Sequence, residues 1–268
     1  MNKIVLAPTT LPSVAPLEYI AAAADAGYDG VGMRLYPASA SMPFTPIVGN
    51  AALMRDVKHA ITHAGLTVHD IFSCYLRPET DFDGLRPVLD YAAELGARYA
   101  VVICDEPDWA RAVDNLGRLA DLAAKFSLTA VVEGPIYGRL INTLPLVLKL
   151  VHEAGRDNIV VCIDTYQLFR SGVGAESLQG VESKQLPYLQ LTDGLADPVG
   201  FVIPGQGSVP LRNILAALHG DVVIGLECPQ PRDSAVAPTE WARAVLDGAH
   251  DVMAQGATVE RPRGSADE

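Results

Sequence analysis

Eight short apolar runs, each followed by a longer amphipathic stretch, constrain this chain more than any other feature. The runs cover residues 4–7, 30–35, 67–72, 99–104, 129–132, 159–163, 188–191 and 222–226. Most are rich in Val and Ile and apolar at consecutive positions, the pattern of strands buried on both faces of a parallel sheet. The stretches between them read as helices over residues 16–26, 50–64, 82–95, 108–126, 144–154, 211–218 and 239–254, with a weaker helical pattern at 175–183. Gly27, Gly65, Gly96 and Gly155 stand where helices take a C-terminal glycine. Strands alternating with helices imply successive βαβ units, and eight of them in about 255 residues predict a single α/β domain, a (β/α)8 TIM barrel.

A doubly wound open sheet is the competing architecture. Its glycine-rich phosphate loop would follow the first strand, where this chain has Ala7-Pro8-Thr9-Thr10-Leu11-Pro12. The barrel is expected over residues 1–258, with 259–268 a polar, loose C-terminal tail.

Composition narrows the partners. A formal net charge of −12 opposes binding to a phosphate backbone, so no nucleic acid is expected. No run reaches the roughly 18 apolar residues that a membrane span requires. The N-terminus enters a strand-like run with no leader-like apolar region, and Cys74, Cys104, Cys162 and Cys228 lie far apart without a CxxC pair. The expectation is a cytoplasmic protein with reduced thiols.

In such barrels the chemistry gathers where strands end. The fifth run is followed by Glu133, the sixth by Asp164 and the eighth by Glu227, while the seventh contains Gln190. A single acid at such a position commonly caps the following turn. Three at equivalent positions on neighbouring strands would repel one another unless protonated or bound to a cation. Oxygen donors in that number suit a hard divalent ion.

The segments Val132-Glu133, Ile163-Asp164-Thr165-Tyr166-Gln167, Gln190-Leu191-Thr192-Asp193, Pro204-Gly205-Gln206-Gly207 and Leu226-Glu227, in this order, resemble the xylose isomerase-like TIM-barrel superfamily. That group includes sugar isomerases and epimerases, inosose dehydratases and 3-dehydroshikimate dehydratases. The resemblance implies metal ligands at Glu133, Asp164, Gln190 and Glu227, with Glu133 and Glu227 also the catalytic acid and base. The family usually has His where this chain has Gln190. An amide oxygen there favours Mn2+ or Mg2+ over Zn2+ or Co2+. Many members also carry His three residues after the sixth-strand Asp, where Gln167 stands here.

Other residues are weighed singly. Arg34, at the end of the second run, offers a guanidinium for a substrate carboxylate or phosphate, or a partner for a site carboxylate. His69 is the one histidine of six within a strand-like run, suited to acid–base work or to a satisfied place in the core. The loop at residues 203–208 has two glycines, read as a turn closing over the site or, more weakly, as a phosphate cradle. Arg212 in the next helix would support either use. Arg34, His69, Gln167 and Arg212 are thus the candidate substrate-binding residues.

The expected activity is isomerisation or epimerisation of a sugar or related polyhydroxy carbonyl compound. A cation stabilises the enediolate formed when a proton leaves the carbon beside a carbonyl. Loss of a β-hydroxyl from the same intermediate would make the enzyme a dehydratase-type lyase. A metal-free, non-catalytic barrel is the third reading. The expected partner is one small molecule, and a homo-oligomer fits the family.

Overall fold

The computed structural model describes residues 2–37 and 44–256. The tail expected at 259–268 lies outside the described residues. Eight strands close a barrel: β1 (Ile4–Leu6), β2 (Gly30–Met33), β3 (Thr67–Leu76), β4 (Tyr99–Cys104), β5 (Thr129–Glu133), β6 (Ile159–Asp164), β7 (Tyr188–Leu191) and, after the two strands of a separate hairpin, β10 (Val223–Leu226). Each pairs in parallel with its neighbours, and β10 closes the ring against both β7 and β1. The hairpin strands β8 (Asp193–Leu195) and β9 (Gly200–Val202) pair antiparallel. No helix among the described residues is long and apolar enough to cross a membrane.

The helices are α1 (Pro16–Ala26), α2 (Ala51–Ala64), α3 (Phe82–Glu94), α4 (Trp109–Ala124), α5 (Leu144–Ala154), α6 (Thr165–Arg170), α7 (Leu211–Ala217) and α8 (Pro238–Gly256). Their ends follow local chemistry. Asn50, Asp81 and Asp108 accept hydrogen bonds from the backbone N–H three residues on, which satisfies one of the free donors of each first turn. Gly27 ends α1 at a φ of 101°, a left-handed geometry that only glycine adopts without steric cost.

Two apolar clusters result. The larger lies between barrel and helices and includes Leu6, Ile20, Leu89, Leu116, Val147 and Leu226. The smaller fills the barrel itself with Val5, Phe72, Tyr99, Val101, Val131, Cys162 and Tyr188. The interior is therefore packed, and space for chemistry remains only towards the rim.

Three local features depart from the sequence reading. β3 continues to Leu76, past a register shift between Ile71 and Cys74. Polar Ser73 ends the apolar run there, so the strand looked finished at residue 72. The weak helix at 175–183 is instead two short 3-10 turns, Ala175–Leu178 and Ser183–Gln185. The regular helix of that unit, α6, starts directly at the strand end.

The β8–β9 hairpin was unforeseen, and its first residue, Asp193, holds the loop that follows it. This buried carboxylate accepts backbone N–H bonds from Gly194 (2.8 Å), Gly205 (2.9 Å), Gly207 (2.9 Å) and Val209 (3.2 Å). The N–H groups of Gly205 and Gly207 are thus directed at Asp193, which removes the phosphate-cradle reading of this loop. Bonds to a charged acceptor are worth about 1.5–3 kcal/mol each when buried. Asp193→Ala is expected to lower the free energy of urea unfolding by at least about 3 kcal/mol. Asp193→Asn, which keeps one acceptor oxygen, should lose less.

Candidate active site

The barrel brings the four strand-end residues together. Glu133 is the last residue of β5, and Asp164 the last of β6. Asp164 lies opposite Gln190 in the β6–β7 register, and Gln190 lies opposite Gly225, two residues before Glu227. Gln190 is fully buried, while Glu133 and Asp164 are 7% and 4% exposed. Glu227 is partly exposed, but its Oε2 is buried.

Enclosing these acids shifts their protonation. Burial, then Glu227 and Asp164, hold the Glu133 carboxyl well above the usual carboxylate range. Burial and then Asp164 push Glu227 up to about 8, opposed by Thr9 and Arg34. Burial raises Asp164 to about 6, although three hydrogen-bonding groups favour its charged form. One of these is the Thr192 hydroxyl, which donates to Oδ2 at 2.7 Å. Another is the Gln167 N–H, which donates to Oδ1 at 2.7 Å and makes Asp164 the N-cap of α6. The Thr165 hydroxyl in turn bonds both the carbonyl and the N–H of Thr192, tying β6 to β7.

Several polar atoms here lack a hydrogen-bond partner among the described residues: Oε2 of Glu133, Oε2 of Glu227, and both amide atoms of Gln190. The Gln190 amide is close enough to Glu133 to favour its charged form, without closing a well-formed bond. Buried polar atoms left unpaired cost free energy and call for an explanation. Among the described residues no three His, Cys, Asp or Glu side chains already stand in metal-binding geometry. The cluster is three acids and an amide around unsatisfied atoms rather than a closed cage.

The remaining candidates separate. Arg34 follows β2 and lies within the field of Glu227, with no ion pair formed between them. Gln167 sits in α6, its Oε1 accepting from the Tyr137 N–H at 3.4 Å. His69 is not at the rim. It is the third of ten residues in β3, packed on Tyr99 and Tyr188, the first residues of β4 and β7. Burial, with Arg98 and Lys3, lowers its ring to about 4, so it is a neutral core histidine. Arg212 is also remote. It lies on α7 in clefts against residues 203–207 and α8, lined by none of the four clustered residues.

The sequence reading missed Asp70. Its carboxyl is buried inside the barrel with neither oxygen in a complete hydrogen bond, and burial pushes it to about 7 despite the approach of the Tyr188 hydroxyl. Its charge also acts on Glu133 and Glu227. The signal was the polar pair His69-Asp70 within an apolar run, which drew attention only to the histidine.

A closed parallel barrel with carboxylates converging at its C-terminal rim defines a class of barrel proteins with chemistry at the strand ends. Within it, this chain belongs to the xylose isomerase-like TIM barrel family, which matches residues 20–248. It is 27% identical over 154 residues to a Bacillus subtilis (strain 168) protein named inosose isomerase, covering 52% of this chain and 54% of that protein. The chain thus spans about half the length of the curated relatives it matches. Two solved structures share the fold. The IOLI protein, crystallised with a zinc atom, superposes with a TM-score of 0.79 at 18% identity, covering 96% of this chain and 100% of that one. D-allulose 3-epimerase from Methylomonas sp., in complex with D-allulose, gives 0.69 at 19% identity, covering 95% and 96%.

The raised carboxyls carry a stability signature. Asp164 and Glu227 bind protons more tightly folded than unfolded, so their stabilising contribution is complete below pH ~4 and is lost as pH rises through about 6 and about 8. Melting temperatures of the metal-free protein and of Glu227→Gln, measured from pH 4 to 9, are expected to diverge progressively from pH ~4.5 up to about 8. The variant, whose amide stays neutral, should fall less.

Proposed function

We propose that this chain is a divalent-metal-dependent isomerase or epimerase acting on a sugar or related polyhydroxy carbonyl compound. The carrying observation is the set of buried, unpartnered oxygen atoms on Glu133, Gln190 and Glu227, beside an Asp164 held in place by Thr192 and α6. The names of the relatives support the class of reaction. Since the alignment with the Bacillus protein covers about half of each chain, the activity is our reading.

The donor set fits a cation. Three carboxyl groups whose protonation is raised by burial, and at Glu133 and Glu227 also by neighbouring carboxylates, are a site that an added positive charge would relieve. Glu133, Asp164, Gln190 and Glu227 would hold the ion, which when bound supplies stabilisation of negative charge at a substrate carbonyl oxygen. All four offer oxygen, which supports Mn2+ or Mg2+ over Zn2+ or Co2+. The IOLI protein carries zinc, so this preference rests on the oxygen donor that Gln190 presents.

The protein's own groups divide the proton work. Glu133 and Glu227 stand on strands separated in the ring by β6 and β7, and so approach a molecule at the rim from different sides. One carboxylate takes the proton from the carbon beside the carbonyl, and the other returns a proton to the opposite face or the neighbouring carbon. Gln167 and Arg34 are assigned to holding the substrate. A lyase that expels a β-hydroxyl after the same proton abstraction is the second reading, favoured by Gln190 at the seventh strand.

Purified protein reconstituted with Mn2+ should turn over a member of a panel of ketoses, inososes and 3-dehydroshikimate. Isomer formation and enone absorbance separate the two readings. Glu133→Gln and Glu227→Gln are each expected to lower kcat at least about 100-fold with the fold retained. Gln190→His should keep activity and shift preference towards Zn2+ or Co2+ in equilibrium dialysis. A protein that binds no divalent ion under any of these conditions would instead be a non-catalytic barrel.

A further inference from the structure

Beside the carboxylate cluster lies a cavity of about 340 Å3, walled by the loops after β1 and β2. Its lining is largely apolar, with Pro8, Leu11, Val14, Met33, Phe44 and Ile47 among its residues. The one charged side chain in that lining is Arg34. Arg34 therefore belongs to two places at once, since it also acts on Glu227. Pro8 and Thr9 make the same link along the chain, Pro8 in the cavity wall and Thr9 beside Glu227.

Arg34 is itself unsatisfied. Its Nε and Nη2 are buried with no hydrogen-bond partner among the described residues. These two nitrogens form one edge of the guanidinium, and elsewhere in this protein the same edge grips a carboxylate. Arg111 donates from Nε and Nη2 to the two oxygens of Glu106, both at 2.7 Å. Arg156 does the same to Asp121 at 2.7 and 3.0 Å. Among the described residues no carboxylate takes that place at Arg34.

We infer that the substrate is an acid: a polyhydroxy carbonyl compound whose carboxylate pairs with Arg34 and whose less polar carbon skeleton packs in the adjoining cavity. A planar carboxylate matches the paired donors of a guanidinium edge, and an unpaired buried donor edge gains most from such a partner. A phosphate is disfavoured by the wall itself. Phosphate sites gather several backbone N–H donors, whereas Pro8, Pro12 and Pro16 contribute none to this lining. The cavity is of small-molecule size, at the lower end of ordinary ligand pockets. Arg34 is thereby a specificity residue of the site described above, and the inference rests on that reading for the polyhydroxy carbonyl part of the substrate.

The test is binding, read by titration calorimetry on the Mn2+-loaded protein. The probes are a tetrahydroxycyclohexane carboxylate, the matching neutral cyclohexane polyol and inorganic phosphate. The carboxylate is expected to bind at least about tenfold more tightly than the neutral polyol, with phosphate weaker than the carboxylate. Arg34→Met should weaken carboxylate binding at least about tenfold more than binding of the neutral polyol, and Arg34→Lys should restore only part of the preference. Arg34→Gln replaces the Met variant if the latter does not melt cooperatively. Equal affinity for acid and polyol in the wild type, tighter binding of phosphate, or equal weakening of both organic probes in Arg34→Met would overturn the inference. An Arg34-dependent carboxylate preference that persists in Glu133→Gln would uphold it even if the wild type turned over none of the panel above, so the two readings fail separately.

Discussion

The structure depends on closure of the parallel ring, made where β10 pairs with β1 on one side and β7 on the other. Closure leaves no open strand edge in the barrel and points every strand the same way. All eight C-terminal ends then share one rim, and residues from distant parts of the sequence are forced within electrostatic reach. Glu133 and Glu227 are 94 residues apart in sequence (227 less 133), yet the Glu227 charge helps to raise the Glu133 carboxyl. Without closure these acids would sit on separate surfaces in water, where like charges at a distance are screened.

Confinement has a cost that the surrounding residues divide among themselves. Asp164 is relieved by hydrogen bonds from Thr192 and the first turn of α6, so its shift is smaller than that of Glu227. Among the described residues, Glu133 and Glu227 keep an unpaired oxygen each, and the Gln190 amide, though near Glu133, closes no well-formed bond. The contrast is informative. Among the described residues, the fold supplies hydrogen-bonding support for Asp164 and leaves an oxygen of each of the other two acids without any. Asp193 shows the alternative within the same rim. Its oxygens are consumed by four backbone N–H groups, and its role is to hold the loop after β9.

Reading the chain as a sequence recovers a good part of this. Apolar runs at the strand period and capping residues such as Asn50 and Asp108 are local signals, and local signals survive into the structure. The strand ends at Glu133, Asp164 and Glu227 were readable for the same reason, since an acid closing a buried strand stands out against its neighbours. Asp70 and His69 were misjudged because depth within a strand is not local. β3 runs four residues beyond its apolar portion, so His69 falls near the bottom of the barrel while Asp70 sits below the acid cluster. The β8–β9 hairpin was invisible because its strands are three residues each, and the Asp193 bonds that hold the loop after it reach up to sixteen residues away.

The sequence by itself determined the alternation of eight barrel strands with helices, the barrel class and three of the converging acids, since each follows from periodicity, caps and residue type along a short stretch of chain. Only the tertiary structure decided which polar groups are left without partners, and hence where a ligand has reason to bind. Whether Arg34 meets an acid, or His69 meets solvent, depends on contacts between strands and loops that are remote in sequence. Burial and pairing are properties of that packing, and they turn a row of ordinary side chains into a site.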